Sequence, residues 1–367
     1  MTIEKLKQLL KYYAIILKKD NFSIDFLSIL CYKYIKNIIR GILIMSNNPL
    51  MQFARRAELT VKLATTPSWY PDNFIKYTLN GEVEVYPMLP KDELQLYNPD
   101  ALLSGQAIIN MIKSCCPSIS DPELLYYPDA NIILLAIKKA TYGNEHKQSV
   151  FCPKCFEKKY ELEELEKDPE REKEYEKKKK EYDKLLKEGK ITDHESEYTF
   201  DIDDILLNCT RLNDEYEVEI DGLIYNLQPH ILKLKEQYSL ISGKRNKLLK
   251  MYQETLNRED DDISEEEKTK IMGEISDIQS VMIDTNNEIL TESIKFIKLP
   301  DESIVEDKEM IKEFISNCKS STMNKLSDEI TKINAVGIQD KFTVECPFCH
   351  HKHEIQLSGY NQSDFFD

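Results

Sequence analysis

Two four-residue segments carry the clearest chemistry in the chain: Cys152-Pro153-Lys154-Cys155 and Cys346-Pro347-Phe348-Cys349. A Cys-x-x-Cys turn can present two thiolates to one ion. Two such turns complete a tetrahedral four-sulfur set, the arrangement of structural zinc, with no position left for water. The spacing therefore predicts a closed metal clasp with Cys152, Cys155, Cys346 and Cys349 as ligands and zinc as cofactor. Two unconnected turns with free thiols are the bland alternative. A thioredoxin-like site needs one pair, not two matched ones. With four cysteines present, His350, His351 and His353 are expected to face solvent, and His146 to be ordinary.

The two pairs are far apart: Cys155 and Cys346 lie 191 positions apart, where a compact ribbon has roughly 15 to 20. Widening the loop about tenfold adds about 2 kcal/mol of closure entropy. Structural zinc contributes on the order of 10 kcal/mol, so a split site is feasible. Strand-like segments flank each pair, residues 148–151 and 160–162 around the first, 342–344 and 354–357 around the second. That is the layout of a zinc ribbon, two hairpins clasping one metal.

Other elements must bring the turns together. Residues 45–151 read as a small β/helical module. Residues 58–63 alternate apolar and polar side chains, and residues 82–86 do so again after the Asn80-Gly81 turn, so a hairpin return is expected. Pro90 predicts a short helix. Asn98-Pro99-Asp100 supplies the cap, N1 proline and first-turn acid of a second, with Leu102, Leu103, Ile108, Ile109 and Ile112 inward. Pro128-Asp129 opens a third, stopped by Gly143. Cys115 and Cys116, at a helix end, read as small buried hydrophobes. In the loop over 66–71, Trp69 and Tyr70 suit either a surface clamp for a partner or a loop anchored by a buried ring.

Residues 163–337 read as a mostly helical insertion with its own core. Residues 163–190 are mostly Glu and Lys and predict a solvated helix. Residues 216–227 alternate around Asp221-Gly222, a hairpin. Apolar stripes over 234–252 and 271–289, joined by a polar loop and restarted by a capping box at Ser264 to Glu267, predict a long antiparallel helical hairpin. Its stripe reads first as an internal seam and second as a docking face. Two further helices over 307–315 and 323–336 end at Gly337. The C-terminal tail, 361–367, carries Phe365-Phe366, which either tuck onto the domain or fill a partner's pocket. The expected fold class is α+β: a small N-terminal β/helical module, a ribbon split over 152–162 and 338–360, and a helical insertion.

Composition narrows the function classes. The 367 residues are 41% hydrophobic with a net charge of −16, too apolar for a disordered chain and too acidic to wrap nucleic acid, which needs clustered Lys and Arg. No apolar run reaches the roughly 18 to 20 residues of a membrane span. The nine cysteines are an odd number, which with the paired turns points to a reducing compartment. Residues 1–44 differ: eight basic against three acidic side chains give +5, leaving −21 for the rest. They read as a partner-docking helix, a membrane-surface helix, or an upstream extension with the start at Met45.

A set of motifs in order carries a family resemblance: Asn48-Pro49-Leu50, Leu59-Thr60-Val61-Lys62-Leu63, Tyr70-Pro71, Val85-Tyr86-Pro87-Met88, Lys91-Asp92-Glu93-Leu94, Pro99 to Gly105, Ala136 to Gly143 and Cys152 to Cys155. Together they resemble the baseplate hub, gene 26 product-like, family of T-even-type contractile-tailed phages, most strongly over 48 to about 160. Ser68-Trp69 stands where that family usually has Gly, and Lys138-Lys139 where it commonly has Arg. The resemblance implies a non-catalytic structural or assembly component of a tail baseplate. It would be located in the virion tail and, during assembly, in the host cytoplasm. Its partners would be other hub or wedge proteins, with homo-oligomerisation open and no nucleic acid or membrane. The competing reading is a viral zinc-ribbon regulator that binds nucleic acid. The ribbon strands offer no basic, aromatic face for it. An enzyme is the third reading, and no phosphate loop or catalytic motif supports one.

Overall fold

Local sequence sets most of the elements. The computed structural model describes residues 54–98, 101, 105–167, 171–256, 265–339 and 341–357, and its fold is mixed α+β. β1 (Leu59–Val61) pairs antiparallel with β2 (Val83–Val85), Thr60 opposite Glu84. Gly81 takes φ 72° at the turn before β2, a conformation that costs glycine little. In α1 (Pro90–Leu96) proline sits at N1 and the Asp92 carboxylate accepts from the Leu89 amide at 2.9 Å. α2 (Gln106–Cys115) buries Ile108, Ile109, Ile112 and Cys115. Asn98 Oδ1 accepts from the Ala101 amide at 3.4 Å, but α2 starts only after Gly105, whose φ of 74° breaks the helical backbone there. Asn98 therefore does not cap the helix that carries Ile108 to Ile112; Leu102 and Leu103 lie outside the described residues. α3 (Tyr127–Tyr142) holds Pro128 in its first turn and stops at Gly143, φ 97°.

β3 (Glu145–Val150) leads into the first cysteine pair. It is followed by α4 (Pro153–Glu166) and α5 (Glu172–Lys187), which pack on each other. The chain then returns as β4 (Ser196–Asp201), antiparallel to β3 with Gln148 opposite Tyr198, and α6 (Ile202–Leu207) follows. The expected hairpin is β5 (Glu217–Ile220) and β6 (Leu223–Leu227), turned by Asp221 and Gly222, both at positive φ. The expected helical pair is α7 (Leu232–Leu256) against α8 (Glu265–Glu292); Ser264 of the capping box lies outside the described residues. β7 (Ile294–Lys298) and β8 (Ile304–Val305) extend the β5–β6 sheet. α8 ends under Lys308, whose ammonium donates to the carbonyls of Ile294 at 2.8 Å and Thr291 at 3.2 Å. α9 (Lys308–Asn317) and α10 (Ser320–Asn334) precede the hairpin of β9 (Lys341–Glu345) and β10 (Lys352–Gln356). Among the described residues no helix is long and apolar enough to cross a membrane.

One hydrophobic core runs from Val61 to Leu357 and includes Leu232, Leu290, Ile311 and Ile330 of the insertion. The insertion therefore shares the module's core instead of having its own. The physical reason is that α9 and α10 each bury a single stripe, Ile311 and Ile315 on one, Leu326, Ile330 and Ile333 on the other. A one-sided stripe needs a neighbour to cover it. Backbone bonds tie the parts: Thr210 and Gly337 exchange amide-to-carbonyl bonds of 2.9 and 3.1 Å, and the Leu212 amide donates to Ala64 O at 2.8 Å. Residues 56–367 form one compact unit. Residues 1–44, with every reading of them, lie outside the described residues.

Candidate metal centre

The first cysteine pair is built by a strand feeding a helix. Cys152 is the N-cap of α4, Pro153 is at N1, and Cys155 lies in the first turn. The amides of Cys155 and Lys154 hydrogen-bond the Cys152 sulfur. Those first-turn N–H groups have no partner within the helix, and with the helix dipole they favour a thiolate at that end. The second pair sits at the tip of the β9–β10 hairpin. There the amides of Cys349 and Phe348 bond the Cys346 sulfur. The loop is closed by His350 N to Cys346 O and Cys346 N to His351 O, both 3.0 Å, with His350 at φ 55°. Each pair thus makes the same turn, with its first sulfur held by the two amides that follow.

The structure brings all four sulfurs together, each within 4.8 Å of the others, and Cys152 Sγ lies 3.5 Å from Cys349 Sγ. Zinc–sulfur bonds of about 2.3 Å in a tetrahedron set sulfurs roughly 3.8 Å apart, inside that range, so the residues fit the ion. Cys152, Cys155 and Cys346 are buried, at most 1% exposed, and Cys349 is partly covered. Ile191, with Tyr182, Leu185 and Leu186, packs over them. The Thr192 amide bonds the Cys155 sulfur. Burial pushes the Cys152 and Cys155 thiols up. It opposes ionisation of Cys346 as well, but the Cys349 and Phe348 amides and the neighbouring thiols outweigh it, and Cys346 titrates below the ordinary thiol range. A buried set in which Cys346 ionises readily while burial opposes ionisation of Cys152 and Cys155 is one that a divalent cation stabilises by displacing protons. Among the described residues this is the one convergent group of three or more potential ligands.

Three expectations need correction. Residues 160–162 are helical in α4, not the second strand of a ribbon hairpin. The run from Glu157 to Glu166 is Glu, Lys and Leu apart from Tyr160, with no β-branched residue, so it favours a helix. The strand that pairs with β3 is β4, which arrives after the α4–α5 pair. The Glu/Lys segment is likewise two helices, and the second covers the metal centre through Tyr182, Leu185 and Leu186 instead of being wholly solvated. Of the histidines, His350 is exposed and pairs with Glu345 at 3.0 Å. His353 does not face solvent: it is 9% exposed, with its ring edge-on to Tyr198 at 6.2 Å. His146 is buried beside Phe200.

Trp69 and Tyr70 lie in the interior, each 9% exposed. The Trp69 indole donates to Asn213 O at 2.8 Å. Tyr70 stacks on Phe74 with centroids 4.7 Å apart. A surface clamp needs these rings outside, so the anchored-loop alternative describes their position. Phe365 and Phe366 lie outside the described residues. Sequence reasoning missed Asp129. Fully buried, it accepts from the amides of Ala64 at 2.7 Å and Thr65 at 3.0 Å, the Thr65 hydroxyl, and the Tyr70 hydroxyl at 2.8 Å. Burial raises its pKa. Tyr70 in turn accepts from the Tyr126 amide at 2.9 Å. The one signal for Asp129 was its place after Pro128, which exposed first-turn acids share.

A family model described as T4 bacteriophage base plate protein matches residues 72–367. No curated protein and no solved structure matches the chain. The match spans the described helices from α1 onward and both cysteine pairs, and on it the chain belongs to the T4 bacteriophage base plate protein family.

Proposed function

We propose that this chain is a structural or assembly component of the hub region of a contractile phage tail baseplate, non-catalytic, with zinc as its structural ion. Membership of the family supports a structural role in a phage baseplate and association with other baseplate proteins. The observation that carries the finer reading is the closed four-sulfur set at Cys152, Cys155, Cys346 and Cys349. Such a set would hold zinc with no position open for a water nucleophile, so its work would be mechanical. It would join the end of the 45–151 module to the hairpin at 341–356, with the 163–337 insertion held between them. The hub or wedge proteins of the baseplate would be the partners, and the virion tail the location.

The test is a pull-down of the tagged chain from cells producing the phage, with metal analysis of the purified protein. Hub subunits and one zinc per chain are expected. Recovery of wedge subunits without hub subunits, or of polymerase or nucleic acid, would refute the hub assignment. Metal-free folded protein would refute the zinc.

A further inference from the structure

Three aromatic rings line the outside of the metal centre. Phe151, just past β3, is 43% exposed; Phe156 and Tyr160, one turn apart on α4, are 45% and 50% exposed. Phe151 and Phe156 have centroids 5.7 Å apart, Phe156 and Tyr160 6.5 Å. A contiguous ladder of three exposed rings is more than the scattered apolar exposure of an ordinary surface.

We propose that this ladder is the docking site of the chain's own C-terminal segment, residues 358–367, through Phe365 and Phe366. Three observations select that occupant. The chain leaves β10 beside the ladder's strand: Gln148 Nε2 of β3 donates to Gln356 O at 3.0 Å. Leu357, 1% exposed, anchors the exit in the core. From Gln148, Phe151 is about 10 Å along β3. The eight residues from Leu357 to Phe365 reach up to about 26 Å, enough to turn back along that strand. Charge agrees as well. Residues 151–160 hold Lys154, Lys158 and Lys159 against Glu157, while the segment brings Asp364 and Asp367 to the aromatic pair and carries no cation. Rings set edge-on or offset against the ladder would add to the area they bury.

The experiment compares amide hydrogen exchange over residues 151–166 in the metal-loaded full chain and in its F365S/F366S variant. A photo-crosslinking residue is placed at position 366 in a second sample. Both substitutions lie beyond Leu357, the last core residue among the described residues, and circular dichroism of the variant checks that its fold is kept. Exchange in the variant is expected to be about tenfold faster, the order of one lost aromatic pair, with cross-links inside one chain to the 151–166 peptide. Unchanged exchange would overturn the proposal. So would cross-links joining two chains, which would make a second copy the occupant.

Discussion

Asp129 offers the sharpest test of how the N-terminal module is held. Replacing it with alanine strips the acceptor from the amides of Ala64 and Thr65 and from the hydroxyls of Thr65 and Tyr70, all inside the core. Leaving a buried donor unsatisfied costs about 1–3 kcal/mol. Four donors that share one carboxylate do not add fully, so D129A should lose about 3–5 kcal/mol, a large share of a typical domain's stability. D129N keeps an acceptor for the two amides, and the Thr65 hydroxyl can turn to receive its NH2 group, so about 1–2 kcal/mol is expected. The pH dependence has a definite sign. Burial, the first cause, raises the native carboxyl above the ordinary 3.8 in spite of its hydrogen bonds. Between 3.8 and that raised value the native state binds more protons than the unfolded state. Stability from this group therefore falls as pH rises through the window. Wild type should gain on D129N as pH drops toward 3.8. Trp69, the single tryptophan, packs edge-on to Tyr126 at 6.1 Å, and its fluorescence during denaturant unfolding reads this region directly. D129A within 1 kcal/mol of wild type, or D129N as damaging as D129A, would refute the reasoning.

Three further outcomes are expected. C152S and C349S should each lose stoichiometric zinc and melt at lower temperature, as should wild type stripped by a chelator; metal retained by the C152S/C349S double variant would contradict the assignment of ligands. K308M removes the ammonium that closes the end of α8 and should cost about 1–2 kcal/mol by thermal unfolding, with K308R recovering part. His230 is held at a pKa of about 4 by burial and by the charge of Lys235. The unfolded state therefore binds the extra proton first as pH falls from 6.5 toward 4, and stability declines over that window. H230Q should flatten the decline, which urea titrations at stepped pH would show.

What the sequence disclosed is local in origin. Pro128 and Gly143 bound a helix because a proline's missing amide and a glycine's positive φ act on their own neighbours. Asp221-Gly222 turned a hairpin for the same reason. The four cysteines were legible because thiol pairs at that spacing have few uses. The strand returning from the first pair was not. Local alternation suggested 160–162, whereas the partner of β3 is β4, beyond two intervening helices. Pairing across such a distance leaves no mark on the residues near the turn. Nor could a fully buried Asp129 be told from an exposed first-turn acid, since both follow proline at a helix start. The shared core escaped because stripes such as Ile311 and Ile315 show that a face is covered without showing by what.

The split of the metal site across the chain has a consequence under load. When a metal joins the four sulfurs, tension applied between the N-terminal module and the C-terminal hairpin crosses from Cys152 to Cys346 through the ion. It does not travel along the backbone between them. The 191 positions separating Cys155 from Cys346, about 650 Å of chain when drawn out, lie outside that path while the clasp holds. Even if the insertion's contacts with the shared core gave way under load, the protein would not lengthen between its two ends. The clasp would then set how much force the chain bears before that length is released.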